Sequence, residues 1–190
     1  MALRLPKAAL PAEMSETMIK AFGAVFEPTE VLWHNPGVAA ANQELAGRVA
    51  GWDALDESLK SFAHMAVAAL IGCSWCLDVN YFQARNQGLD LAKASQVPVW
   101  RASELFTPLE RDVMAYAEAM SVTPPTVTDE QYGDLLDVLG PGAMVELTAY
   151  VAFVNMAARA NIANGVSSQG FSDSCEIPLA GRPATGAPRA

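Results

Sequence analysis

Cysteine and positive charge are both scarce in this chain of 190 residues. Three cysteines are too few for the disulfide framework of a small secreted scaffold, so two that lie close together read as redox-active or metal-binding rather than structural. Twelve Lys and Arg against 21 Asp and Glu give a net charge of -9, which repels phosphate backbones. The basic residues are scattered rather than gathered into a stripe, so no nucleic acid is expected as a partner. Met1-Ala2-Leu3-Arg4-Leu5-Pro6-Lys7 has charges and a proline where a signal peptide needs its apolar stretch. No run is expected to reach the roughly 20 apolar residues of a membrane span. A cytoplasmic location and no membrane partner follow as expectations. Alternating runs bounded by hairpin signals are also missing, which leaves an all-α fold.

What the chain does contain is helix after helix with clear punctuation. Asn35-Pro36 reads as an N-cap and a proline at the first helical position, opening an Ala-rich segment toward Gly51. The segment Leu55 to Ile71 should stop at Gly72, a residue type that tolerates the left-handed conformation past a helix end. Thr107-Pro108-Leu109-Glu110 combines a capping box with an N-terminal proline, and Leu109, Val113, Tyr116, Ala117 and Met120 then share one face. Thr128-x-x-Gln131 opens a helix ending near Gly140-Pro141, and another runs from about Ala143 to Asn164 before Gly165. One domain over residues 1–166 is expected. Residues 167–190, rich in Gly, Pro and Ser, read as an extended or disordered tail.

Gly72-Cys73-Ser74-Trp75-Cys76 carries the chemistry. If a helix begins near Ser74, both thiols lie in its first turn, close to unpaired backbone N–H groups and the positive end of the dipole, and both effects favour a thiolate. The spacing leaves open which sulfur attacks. Two bland readings stand beside redox chemistry: a pair of buried hydrophobic thiols, or a zinc site, for which only Cys175, His34, His64 and carboxylates remain as further ligands. No metal and no cofactor are expected.

The stretch Leu59-Lys60-Ser61-Phe62-Ala63-His64-Met65, continuing through Cys73-Ser74-Trp75-Cys76-Leu77-Asp78-Val79-Asn80 to Arg85-Asn86-Gln87-Gly88-Leu89, resembles the AhpD-like / carboxymuconolactone decarboxylase family. With Phe106-Thr107-Pro108-Leu109-Glu110-Arg111, and with the late segment from Val145 to Arg159, the likeness covers roughly residues 30–166. It implies an AhpD-like helical bundle and a thiol-dependent peroxidase. In that reading Cys76 attacks a small-molecule hydroperoxide, Cys73 resolves it to a disulfide, and an external dithiol restores the pair. It also implies a homo-oligomer, a trimer or hexamer. The family's redox members carry a Glu and a His where this chain has Ser61 and Asn80. Those side chains move protons, which is worth on the order of a hundredfold or more in rate. Asn80 cannot titrate, though it could hydrogen-bond Cys76 one turn away. His64, one turn beyond Ser61 on the same helix face, is the candidate replacement base. The family name also covers a lactone decarboxylase, which needs cationic groups for its substrate's carboxylates, and an inactive scaffold remains the third alternative.

Other residues have mostly structural readings. Trp75 could shape an apolar mouth, and Asp78 reads as a favourable first-turn carboxylate. His34 reads as a cap neighbour and Cys175 as a bystander. Asn155 and Arg159, polar in an apolar helix, suggest a subunit interface.

Overall fold

The structure, a computed structural model, describes residues 3–180. The described residues form eight α-helices: α1 (Ala12–Phe22), α2 (Glu27–Leu32), α3 (Pro36–Val49), α4 (Glu57–Ile71), α5 (Ser74–Asn86), α6 (Leu91–Gln96), α7 (Pro108–Ser121) and α8 (Asp129–Asn164), with short 3-10 turns at Val97–Ala102 and Phe171–Ser174. No strand occurs among the described residues, as the missing period-two alternation implied.

The caps are where the sequence puts them. Val38 N–H donates to Asn35 Oδ1 at 3.3 Å at the start of α3. Thr107 and Glu110 close a capping box on α7, with Glu110 N–H to Thr107 Oγ1 at 3.3 Å and Thr107 N–H to Glu110 Oε2 at 2.6 Å. Gly72 ends α4 at φ 82°, a conformation that disfavours any side chain. The two helices expected around Gly140-Pro141 form one element, α8, broken at Gly140, where φ is 75° and ψ 166°. Helices α1, α2 and α6 had no sequence reading.

Helix α4 lies at the centre and packs on α5, α7 and α8. Its Leu59, Ala63 and Val67 meet Val113, Tyr116 and Ala117 of α7 and Met144, Leu147, Val151 and Val154 of α8. Its Phe62, Met65 and Ala66 join Tyr81 and Ala84 of α5 with Trp100, Phe106 and Met114. Burying such aliphatic and aromatic side chains supplies roughly 1.5–3 kcal/mol each and is the main drive to this arrangement.

Three expectations change. By length and composition α8 could cross a bilayer, its most apolar window having a mean hydropathy of 1.3. Its Met144, Leu147, Val151, Val154 and Ala158 face is nonetheless bundle core. Asn155 and Arg159 find partners inside the chain: Asn155 Nδ2 donates to Ser121 Oγ at 2.8 Å, and Arg159 donates to the Ser121 carbonyl at 2.6 Å. They complete the C-terminus of α7, so part of their polarity is met within the chain, while Asn155 Oδ1 stays buried without a hydrogen-bond partner.

The third change concerns the tail. Residues 166–180 are an arm docked across α5, and the last ten residues of the expected tail lie outside the described ones. Asp78 is not a first-turn carboxylate; it is buried and holds this arm through six hydrogen bonds. Ser168 Oγ at 2.8 Å and the N–H groups of Gln169, Gly170 and Phe171 at 3.0, 2.9 and 3.2 Å reach Oδ2. Ser172 gives Oδ1 both its N–H at 2.7 Å and its hydroxyl at 2.6 Å. Burial alone would raise the Asp78 pKa, but the bonds from Ser172, Ser168 and Phe171 hold it below the ordinary carboxylate value.

Candidate active site

Cys73 is the N-cap residue of α5, and its Sγ accepts the Cys76 N–H at 3.3 Å. The cap places both sulfurs at the first turn, and they are joined as a disulfide with Cα atoms 5.3 Å apart. A helix N-terminus stabilises negative charge on sulfur, while packing against Ala68 and Ala158 opposes it. Both residues are buried.

Only Cys76 reaches the main cavity, a space of about 590 Å³. Each of three helices gives it one face at helical spacing: Glu57, Lys60 and His64 from α4; Cys76, Val79, Asn80 and Gln83 from α5; Tyr150, Phe153, Ala157 and Asn161 from α8. Phe22 and the end of α3 close the outer side. Trp75 forms part of the wall, as expected of an apolar mouth. It is fixed by Gln169 of the docked arm, whose Oε1 accepts Trp75 Nε1–H at 2.8 Å and Glu27 N–H at 3.0 Å.

Ser61, Asn80 and His64, separated in sequence, form one hydrogen-bonded chain. Ser61 Oγ–H donates to Asn80 Oδ1 at 3.1 Å, and Asn80 Nδ2 lies 3.1 Å from His64 Nδ1. An amide nitrogen can only donate, so Nδ1 is the acceptor and the imidazole proton sits on Nε2. Tyr150 O–H reaches the same Nδ1 at 3.4 Å. Desolvation by burial lowers the His64 pKa from 6.5 to about 4, so the ring is neutral at ordinary pH. That changes the role expected of it: a ring with its lone pair engaged and its proton affinity depressed is a poor base for a thiol, while its Nε2–H remains a donor. Burial also raises the Tyr150 pKa, which keeps its hydroxyl protonated.

Asn80 is spent on Ser61 and His64, and the Cys76 sulfur has a different partner. Asn161 Nδ2 donates to Cys76 Sγ at 3.5 Å. The sequence reading missed this residue. Its signal was the helix period, because Asn161 falls three residues after Ala158 and seven after Val154, both core positions; a buried amide on an apolar face must have a partner.

Lys60 is the one Lys or Arg among the described residues lining this cavity. It is bound by Glu57 Oε2 at 2.9 Å, Glu146 Oε1 at 3.4 Å and the Trp52 carbonyl at 2.7 Å. Burial would lower its pKa, but the two glutamates outweigh burial and raise it. A cation so neutralised is a weak anchor for a second anion. His34 lies outside this group, with Nε2 2.7 Å from the Pro6 carbonyl. Cys175 is a free thiol packed at the edge of the Phe62 cluster. No group of His, Cys, Asp or Glu suited to a metal ion occurs among the described residues.

The carboxymuconolactone decarboxylase family profile matches residues 36–119. An uncharacterised protein of Escherichia coli K12, YnjA, is 36% identical over 124 residues, which are 65% of this chain and 66% of the relative; the match therefore spans just under two thirds of that protein's length. Two solved structures share the fold over nearly the whole chain. An AhpD-core, peroxidase-related protein of Ralstonia eutropha JMP134 has a TM-score of 0.79 at 18% identity, covering 93% of this chain and 97% of its own. The debrominase Bmp8, solved with 2,3,4-tribromopyrrole, has a TM-score of 0.79 at 17% identity, covering 91% and 97%.

Proposed function

The chain belongs to the AhpD-like / carboxymuconolactone decarboxylase family, and from that premise we propose that it is a thiol-dependent peroxidase working through the Cys73–Cys76 dithiol/disulfide cycle. The observation that carries this reading is the disulfide at the N-terminus of α5 with one of its residues, Cys76, lining the cavity and its sulfur bonded by Asn161 of the same lining.

In the reduced protein the Cys76 thiolate, held by Asn161 Nδ2–H, attacks the outer oxygen of a hydroperoxide. The O–O bond breaks and the alkoxide leaves, hydrogen-bonded by His64 Nε2–H, and takes up the proton released by the Cys76 thiol to become the alcohol. Cys76 is left as a sulfenic acid. Cys73, already within disulfide distance, attacks that sulfur, the S–O bond breaks, and water departs as the disulfide closes. An external dithiol then returns two electrons. Ser61 and Asn80 act through His64, fixing its tautomer, and are positioning residues in this scheme. The aromatic wall of Trp75, Tyr150 and Phe153 and the neutralised Lys60 favour an uncharged organic substrate. The same neutralisation disfavours the lactone carboxylates of a decarboxylase. We further propose a cytoplasmic location and a homo-oligomeric state; α1 supports the second, because it buries none of its residues and leaves Ile19 52% exposed.

A second reading uses the same electron balance: two thiols and a halogenated aromatic give a disulfide, the dehalogenated ring and hydrogen halide. The cavity favours it in one respect, since about 590 Å³ between aromatic walls is ample for a substituted ring. The test is turnover of cumene hydroperoxide and of a bromopyrrole by the reduced protein with excess dithiothreitol. Cumene hydroperoxide consumption that disappears in Cys76→Ser supports the peroxidase. Bromide release without peroxide consumption favours the second reading, and neither activity overturns both.

A further inference from the structure

Two hollows approach the disulfide, and no residue lines both. Cys76 belongs to the large cavity. Cys73 belongs to a second, smaller one of about 160 Å³, walled by Ala68, Ala69 and Leu77 with Pro98 and Ala180. Its lining has no charged side chain, and exposed Gly72 and Ser74 flank the buried sulfur-bearing residue.

We propose that this second hollow is where the reducing dithiol reaches the protein, with Cys73 Sγ as the sulfur attacked, so that oxidant and reductant use separate openings. The proposal rests on the disulfide cycle described above. Displacement at a disulfide requires the incoming sulfur to approach along the S–S axis, opposite the sulfur that leaves. Attack at Cys73 therefore comes from the Cys73 side and expels Cys76. The departing sulfur is received by Asn161 Nδ2–H, 3.5 Å away, and a sulfur stabilised as thiolate leaves faster. One thiolate of the reductant forms a bond to Cys73 Sγ as the Cys73–Cys76 bond breaks, and the electron pair stays on Cys76. The reductant's second thiolate then displaces Cys73 from the mixed disulfide. The reductant leaves oxidised, the protein holds two thiols, and Cys76 already faces the substrate cavity. The apolar, uncharged lining suits a slender thiol-bearing group and imposes no charge requirement on it.

The test separates the two half-reactions in a Cys175→Ser background. Disulfide formed with diamide, without peroxide, is mixed with dithiothreitol, and the appearance of protein thiols is followed; oxidation of the reduced protein by cumene hydroperoxide is followed separately. Filling the small hollow with Ala69→Leu should slow reduction on the order of tenfold, about 1.4 kcal/mol, and leave oxidation unchanged. Filling the large cavity with Ala157→Leu should do the reverse. Ala180→Trp, at a position outside the helices, repeats the first arm should Ala69→Leu fail to fold. Reduction that is slowed by Ala157→Leu and untouched by the hollow-filling variants places the reductant in the substrate cavity and overturns the proposal, as does a common slowing of both steps. Because reduction is measured without peroxide, failure of the peroxidase reading shows in the second arm alone.

Discussion

On one side of α4, Leu59, Ala63 and Val67 meet α7 and α8 in a dry apolar layer. Round the same helix, His64 and the buried Ser61 join Asn80 and Tyr150 in a hydrogen-bonded wall along the cavity. The first face is held by area removed from water and tolerates exchange among apolar side chains of similar volume. The second is held by directional bonds between groups that would be costly to bury singly. One helix thus fixes the fold with one face and sets the electrostatics of the site with the other, and the two should respond differently to substitution.

The largest effect should come from the dry face. Leu147 is fully buried against α4 and α7, and Leu147→Ala should cost about 2–5 kcal/mol in denaturant unfolding while the protein that remains folded reduces peroxide at the wild-type rate. A matching drop in activity per folded molecule would show that the two faces are not separable. Next comes pH. The folded His64 titrates near 4 and the unfolded residue near 6.5. Between those values the unfolded chain binds a proton that the folded one does not, so stability is fully present above 6.5 and falls as pH drops toward 4. The loss is on the order of 2 kcal/mol once the ring's access to the cavity is discounted. His64→Gln should flatten that slope, and an unchanged slope would assign it to other groups. The smallest change is Asn161→Leu, which removes the donor to Cys76 Sγ. It should raise the Cys76 pKa by about one unit and slow alkylation of that thiol near neutral pH, with Cys73 unaffected; equal effects on both thiols would reduce Asn161 to a packing role.

The apolar face was legible because its information is periodic: Val113, Tyr116 and Ala117 fall at helical spacing behind a capping box, and Gly72, Gly140 and Gly165 mark ends and a break. The thiol pair was legible from spacing alone. The polar wall was legible only in part. Ser61, His64 and Asn80 drew notice through the resemblance, but their mutual bonding depends on how α4 crosses α5, which no local pattern encodes. Tyr150 was invisible for the same reason, since it joins the site through the packing of α8, and the helix period that marks Asn161 as a core position says nothing of the sulfur it meets. The docked arm escaped the reading because its anchor is one buried carboxylate meeting backbone N–H groups about ninety residues away, and any sequence of small polar residues looks like a loop.

The Asp78 anchor ties α5 to a segment made about ninety residues later. Synthesis runs from the N-terminus, so α5 with its cysteines emerges long before residues 168–172. Until those residues arrive, Asp78 has none of its six partners, and enclosing an unpaired carboxylate costs several kcal/mol. The helix that carries the disulfide can therefore seat fully only once residues 168–172 are present, and a chain cut short before Ser168 would keep this flank hydrated and Trp75 without its glutamine.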